Sequence, residues 1–366
     1  MRVLVVNAGS SSLKVRLLDG ADDLSAELDL PAPDPAGDDA ELVRALAGVG
    51  HADAVGHRVV HGGERFREAV AVDDGVIGAL EALTELAPLH QPGSLAALGL
   101  ARRAFPDVPH VACFDTAFHV TLPAAAHTYP IPAAWRERWP LRRYGFHGLS
   151  HAHASRRAAE LLGRDGAELR VVTCHLGEGA SLAAVRGGVS VDTTMGFTPL
   201  EGIVMATRSG SVDPGLVLWL AQRQGVPVAE LATGLERGSG LTGLAGTGDM
   251  REVLARADAG EEEAGLALDV YLHRLRAGIG AMTTALDGLD ALVFTGGVGE
   301  RSAAVRAGTV AGLGFLGLAL DADRNATADG DGDLSPAGAR ARVLLVQARE
   351  DLEIARQVRA VLGATA

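Results

Sequence analysis

A chain of 366 residues is longer than one hydrophobic core usually supports, so two domains are expected. Its formal net charge of −13 excludes a surface built for nucleic acid or anionic membrane, since both need clustered Lys and Arg. Hydrophobic residues at 48% with aromatics at only 4% point to aliphatic sheets covered by helices, an α/β class.

Met1 leads straight into a strand-like Val-Leu-Val-Val, and no apolar run approaches the ~20 residues of a membrane span, so a cytoplasmic protein is expected. Short β-branched runs at 2–6, 54–60, 110–114, 170–175, 291–295 and 342–346 predict strands. Apolar periodicity predicts helices at 94–105, 150–163, 264–286 and 350–362. Stretches 20–40 and 323–338, rich in Asp, Ala, Gly and Pro, show no steady period and are expected as surface loops. Cys113 and Cys174 are too few for a disulfide framework and sit in apolar runs, as buried free thiols would. VLVVNAGSSSLKVRLL near the N-terminus and VVTCHLGEGASLAAVRGG in the middle both read as strand, small-residue turn and strand. That echo fits a duplicated domain, or simply the Gly and Ser of any hairpin turn.

The candidate chemistry begins at VNAGSSSLK, where a turn of small residues presents backbone N–H groups and hydroxyls to one point and Lys14 follows, a phosphate cradle or a plain hairpin. It lacks the order of a P-loop. Asn7 at the strand end could hold a metal-bound water. In GHRVVHGGE, Arg58 is a candidate carboxylate clamp or a surface ion pair, and His57 and His61 lack the partners of a zinc site. FDTAFH puts Asp115 just after a strand, where open α/β sheets face their ligands. His147 in RRYGFHG could donate to a transferring phosphoryl group or cap the helix that follows. Residues 191–215 form a long aperiodic segment around a lone Arg208, and such ordered loops are usually functional. FTGGVGE is a Gly-rich turn after a strand, without the GxGxxG order of a dinucleotide fold.

Taken together, VNAGSSSLK, GHRVVHGGE, FDTAFH, RRYGFHG, CHLGEGAS, DTTMGFTPLEG, TRSG, DMRE, FTGGVGE and AREDLEIA resemble, in order, the signatures of the acetate kinase family across essentially the whole chain. The resemblance implies a duplicated two-domain ribonuclease H-like α/β fold of the actin, Hsp70 and sugar kinase type with a central cleft. It implies an N-terminal domain of residues 1–118 plus 350–366 for the first phosphate turn and the carboxylate substrate, and a nucleotide-binding and dimerisation domain of residues 119–349. It also implies magnesium (or manganese), ATP or ADP as co-substrate, a homodimer, and reversible phosphoryl transfer from ATP to acetate, giving acetyl phosphate.

Residue by residue, Asn7 and Glu350 match the metal positions, and Lys14 matches a nucleotide phosphate contact. Arg58 matches the substrate arginine, Asp115 the catalytic aspartate, and His147 with Arg208 the pair that stabilises the transition state. Val60, Leu89, Phe146 and Pro199 match the pocket for the acetate methyl. His175, Leu176, Gly177, Glu178 and Gly179, then Asp249, Met250 and Arg251, then Gly297, Val298, Gly299, Glu300 and Arg301 match nucleotide contacts. The chain departs from the family pattern in Glu178 and Arg301, each where the family has Asn, and in a shortened 20–50 region. Glu178 would repel phosphate unless it binds magnesium or turns outward. Acetate is already ionised at neutral pH, so no general base is needed and direct in-line transfer is expected. The alternatives are a propionate or butyrate kinase, a pyrophosphate-dependent relative, or a non-catalytic nucleotide-binding protein on the same fold.

Overall fold

A computed structural model of the protein describes residues 1–9, 12–33, 39–88 and 90–363. The chain forms two compact units. The first takes residues 1–120, 146–153 and the chain from Arg349 on; the second takes 121–145 and 154–348.

The first unit holds strands β1 (Val3–Ala8), β2 (Ser12–Leu18), β3 (Leu24–Pro31), β4 (Ala54–Val59), β5 (Val70–Ala71) and β6 (His110–Phe114), in the order β3-β2-β1-β4-β6-β5. β1, β4 and β6 run parallel, and β2, β3 and β5 are antiparallel to their neighbours. The second unit holds β7 (Arg170–Leu176), β8 (Ala180–Arg186), β9 (Val189–Thr193), β10 (Ala291–Thr295), β11 (Gly332–Asp333) and β12 (Arg342–Leu345). Its order from one edge is β9-β8-β7-β10-β12-β11, which repeats the first sheet position for position, with the same strands parallel and antiparallel. The sequence echo therefore reflects two copies of one sheet plan, and the two mixed sheets are those of the ribonuclease H-like class.

The six strands expected from β-branched runs are present, because each lies inside a sheet and is apolar on both faces. Two expected loops contain regular elements. Residues 20–40 contain β3, an edge strand whose alternation is masked by Glu27 and Asp29; both carboxylates pair with Arg16 on β2, at 3.2 and 2.9 Å. Residues 323–338 contain most of the helix Ala322–Thr327, capped by the Asp321 side chain, and β11, too short to show a period. Cys113 and Cys174 are buried free thiols.

The C-terminal helix Glu350–Val361 buries Ile354, Ala355 and Val358 against Val3, Val5, Val111 and Cys113 of the first sheet. Gly56 in β4 makes room for it. A Cβ there would lie 2.5 Å from Ile354 Cγ2 and 2.7 Å from Val358 Cγ2. In the second unit the helix Glu262–Leu286 turns a stripe of Leu272, Leu275, Ile279, Met282 and Leu286 inward, at helical spacing, onto β7 and β8. Among the described residues no helix is long and apolar enough to cross a membrane.

Candidate active site

Three parallel strands of the first unit carry Asn7, Arg58 and Asp115 to their carboxyl ends: Asn7 near the end of β1, Arg58 near the end of β4, Asp115 directly after β6. This is the edge of an open α/β sheet where ligands bind. Arg58 Nη2 donates to Asp115 Oδ2 at 2.7 Å, and Arg58 Nε lies 3.2 and 3.1 Å from the two carboxylate oxygens. Arg58 Nη1 donates to Asn7 Oδ1 at 3.2 Å, and Asn7 Nδ2 donates to Glu350 Oε2 at 2.7 Å, with that oxygen 3.8 Å from Arg58 Nε. Four side chains far apart in the chain thus form one network.

Burial lowers the proton affinity of Arg58, but Asp115 and Glu350 outweigh it and hold its pKa above the ordinary value. Burial pushes the Asp115 carboxyl up, against the pull of Arg58, and it stays above the ordinary carboxylate range. One guanidinium faces two carboxylates, so the cluster carries a surplus negative charge on hard oxygen donors. That donor set suits a hard divalent cation, which is commonly held by one or two carboxylates and completed by water and phosphate.

His147 stands beside Asp115. Its backbone N–H lowers the Asp115 pKa, and the next N–H, of Gly148, donates to the Asp115 carbonyl at 2.9 Å. His147 adopts φ +56°, rare for a residue with a side chain and often found where function holds the strain. Gly148 is obligatory, because a Cβ there would overlap the Asp115 carbonyl oxygen. The His147 carbonyl accepts from His151, so the residue is also the entry to the helix Gly148–Leu162. Phe146 is buried beside it, His119 Nε2 lies 3.1 Å from its carbonyl, and Val60 is buried too. Lys14 is exposed on β2, directly opposite Asn7 in the ladder. Leu89 lies outside the described residues.

His57 of the GHRVVHGGE segment pairs with another histidine. His57 Nε2 and His110 Nδ1 are 2.9 Å apart, and His110 Nε2 lies 3.0 Å from the Phe105 carbonyl. Because that carbonyl can only accept, His110 donates to it and accepts from His57. The pair is a buried neutral chain between β4 and β6.

In the second unit, β7 delivers His175 and Leu176 to the tight turn Gly177-Glu178-Gly179, closed by Gly177 N–H to the Gly179 carbonyl at 3.0 Å. The neighbouring strand β10 runs into the helix Gly296–Arg301, which carries Gly297, Val298, Gly299, Glu300 and Arg301. Gly296 has φ +78°, and a Cβ on it would press into the Leu176 backbone at 2.8 Å, so the two turns meet with no room for a side chain. Glu300 Oε1 accepts from both Gly296 N–H and Ala348 N–H, each at 2.9 Å. Asp249, Met250 and Arg251 open another helix, where Asp249 caps its start and binds Arg251 at 2.6 Å on the surface.

Arg208 donates from Nη1 to the Pro199 carbonyl at 2.7 Å, the one hydrogen bond its side chain makes among the described residues. Burial lowers its pKa, and the charges of Glu178 and Glu236 oppose that. Glu178 is exposed, and its carbonyl accepts from Ala206 N–H at 3.2 Å, so the β7–β8 turn is tied to the Arg208 segment.

The acetokinase family profile matches residues 43–356. The chain belongs to the acetokinase family. An acetate kinase from Gloeobacter violaceus is 51% identical over 316 residues, spanning 86% of this chain and 78% of that protein. Of solved structures, the acetate kinase of Porphyromonas gingivalis superposes with a TM-score of 0.90 at 34% identity over 99% of both chains. A propionate kinase of Francisella tularensis superposes at 0.89 and 33% identity, over 97% of this chain and 98% of that one. Members of the acetokinase family are phosphotransferases, and this chain is one of them.

Sequence reasoning did not single out Tyr129, Arg143 or Glu201, which brace the aperiodic 191–215 segment. Tyr129 donates to Glu201 Oε2 at 2.5 Å and accepts from Phe197 N–H at 2.8 Å, while Arg143 donates to Glu201 Oε1 at 2.7 Å and to the Thr194 carbonyl at 3.0 Å. These partners lie 51 to 72 residues apart, beyond any local periodicity.

Proposed function

We propose that this chain is an acetate kinase that moves the γ-phosphoryl of ATP directly onto acetate, giving acetyl phosphate and ADP. The observation that carries this reading is the Asn7, Arg58, Asp115 and Glu350 network at the carboxyl ends of β1, β4 and β6 in a chain of the acetokinase family. Phosphoryl transfer needs positioning and charge neutralisation more than covalent chemistry. Arg58, oriented by Asp115 at one edge of its guanidinium and by Asn7 at another, holds the acetate carboxylate. Arg208 and His147 donate to the equatorial oxygens of the moving phosphoryl group. Asp115 works as an anion that aims Arg58, and no proton need leave the substrate.

Asn7 and Glu350 are the residues that would hold magnesium, whose chemistry when bound is to neutralise phosphate charge. Lys14 and the backbone around Gly177–Gly179 and Gly297–Arg301 take the nucleotide phosphates, with Asp249 to Arg251 on the nucleoside side. The family resemblance assigns Val60, Leu89, Phe146 and Pro199 to the methyl group of the acid. On this reading residues 1–118 with 350–366 supply the first phosphate turn and the carboxylate site, and 119–349 bind the nucleotide and make the dimer.

We also propose a homodimer in the cytoplasm. The helices Pro214–Arg223 and Val228–Arg237 have no buried residue, and Leu216, Leu218, Trp219 and Val228 are exposed on them, an apolar face suited to a second copy.

A propionate kinase is the second reading, supported by the Francisella tularensis neighbour at almost the same TM-score. One methylene changes discrimination by only about 1–3 kcal/mol. A hydroxamate assay with acetate, propionate and butyrate, with and without ATP, tests both: the highest kcat/KM is expected with acetate. Preference for propionate would install the second reading, and no turnover of any acid would leave only a nucleotide-binding protein.

A further inference from the structure

The segment between Thr193 and Pro214 has neither helix nor strand, yet it carries Pro199 and Arg208. Without ladder hydrogen bonds, its backbone must be ordered by other groups, at a conformational cost of about 1–2 kcal/mol per residue. Those groups form a clasp. Arg143 bridges the two ends of the arc, from the Thr194 carbonyl to the Glu201 carboxylate, at 3.0 and 2.7 Å. Tyr129 closes it from the other side, between Phe197 N–H and Glu201 Oε2. The Gly196 carbonyl, at the centre of the arc, accepts from Tyr144 N–H at 3.0 Å and Gly145 N–H at 3.3 Å. Gly196 itself is packed so tightly that a Cβ would overlap both the Glu201 carboxylate and the Tyr129 hydroxyl.

Glu201 is the hub. Both of its oxygens are taken by side chains from residues 129 and 143, so it joins these two partners. What the arc then offers is the Pro199 carbonyl, which takes one N–H of Arg208 at 2.7 Å and leaves the remaining guanidinium donors for other partners. We infer that Glu201, clasped by Tyr129 and Arg143, is a positioning residue for the reaction: it sets the Pro199 carbonyl, and through it the aim of the Arg208 guanidinium. The inference rests on the proposed role of Arg208 in neutralising the transferring phosphoryl group. Charge placed by a guanidinium acts on the transition state more than on bound substrate, so a loosened clasp lowers kcat with little change in KM. Misplacement by about 1 Å can cost up to about 100-fold in rate.

The test compares Glu201→Gln, Tyr129→Phe and Arg208→Ala, with Glu201→Gln also made in the Arg208→Ala background. KM for acetate and for ATP, kcat and the unfolding midpoint are measured for each. Glu201→Gln and Tyr129→Phe are expected to lower kcat about tenfold or more, with each KM within about twofold. In the Arg208→Ala background the same Glu201 change is expected to cost less than about twofold, because there is no guanidinium left to aim. An unchanged kcat in both single variants overturns the inference, as does an equal loss with and without Arg208. Should Glu201→Gln fail to fold, Tyr129→Phe, which removes one hydroxyl, decides by the same criteria in the same two backgrounds. If Arg208→Ala itself keeps its kcat, the role assigned to Arg208 is what fails, and that result is distinct from a loss seen only in Arg208→Ala.

Discussion

Arg58 and Asp115 meet edge to edge: Nη2 sits 2.7 Å from Oδ2, Nε reaches both oxygens, and the Asp115 carboxylate is 1% exposed. The ion pair joins the ends of adjacent parallel strands, so removing either charge leaves the other buried. Asp115→Ala is expected to cost about 3–5 kcal/mol of stability, because the guanidinium loses its buried partner. The same variant should lose at least about 100-fold in kcat as the guanidinium swings from its aim. Urea unfolding together with steady-state kinetics checks both; a variant as stable and as active as the parent would remove Asp115 from this role.

Gly56→Ala places a methyl group 2.5 Å from Ile354 Cγ2 and 2.7 Å from Val358 Cγ2, so the C-terminal helix must shift outward. The expected cost is about 1–3 kcal/mol. Glu350, in the first turn of that helix, moves with it. Activity should therefore need a higher magnesium concentration for half-saturation, read from a metal titration; an unaltered titration with normal stability would show that the helix yields without moving Glu350.

Acid should destabilise the first unit through its buried histidines. Burial lowers His61 and His119 to about 4 and holds His57 well below, and His110 below, the ordinary value of 6.5. A lowered folded pKa means that the unfolded chain binds protons first. The stability from these neutral rings is fully present above about pH 6.5 and is lost as pH falls toward about 4, by up to about 1.4 kcal/mol per pH unit for each ring. Asp115, raised by burial, works in the opposite sense. Denaturant unfolding from pH 8 to 4 should show a plateau, then a decline starting near pH 6.5. A flat profile to pH 5 would contradict the buried, neutral assignment.

Glu178→Asn removes an exposed carboxylate from the turn between β7 and β8. If that turn receives phosphate, the KM for ATP should fall about threefold at low salt, and the gain should shrink at high ionic strength. Arg208 loses a stabilising charge but stays protonated throughout the working range, so kcat should change little. The discriminating measurement is the KM for ATP at two salt concentrations; equal values for parent and variant at low salt would mean that the carboxylate faces away.

Much of this architecture is written locally. Runs such as Val3–Ala8 and Ala291–Thr295 are apolar on both faces because they lie inside a sheet. Asn7, Arg58 and Asp115 were legible because each follows or ends such a run. β3 was hidden because an edge strand carries charge on its open face, and its Glu27 and Asp29 look like loop residues until Arg16 is seen opposite them. The clasp of Tyr129, Arg143 and Glu201 was hidden for another reason. Nothing in the spacing of a Tyr, an Arg and a Glu records that they meet, and their one local mark was the missing period of the segment they hold.

The first unit is discontinuous along the chain, and its core needs Ile354, Ala355 and Val358 beside Val3, Val5 and Val111. Arg359 adds a second tie, with Nη1 on Asp22 at 2.6 Å and Nη2 on the Asp19 carbonyl at 2.7 Å. During synthesis, at about 5–20 residues per second, residues 1–120 must wait for the helix Glu350–Val361 before their core can close. The second unit can close while the first is still missing a helix. Glu350 rides on that helix, so the hydrophobic seal of the first unit and one of the proposed metal ligands arrive together. A chain truncated before that helix is therefore expected to lack both the seal of the first unit and the proposed metal ligand.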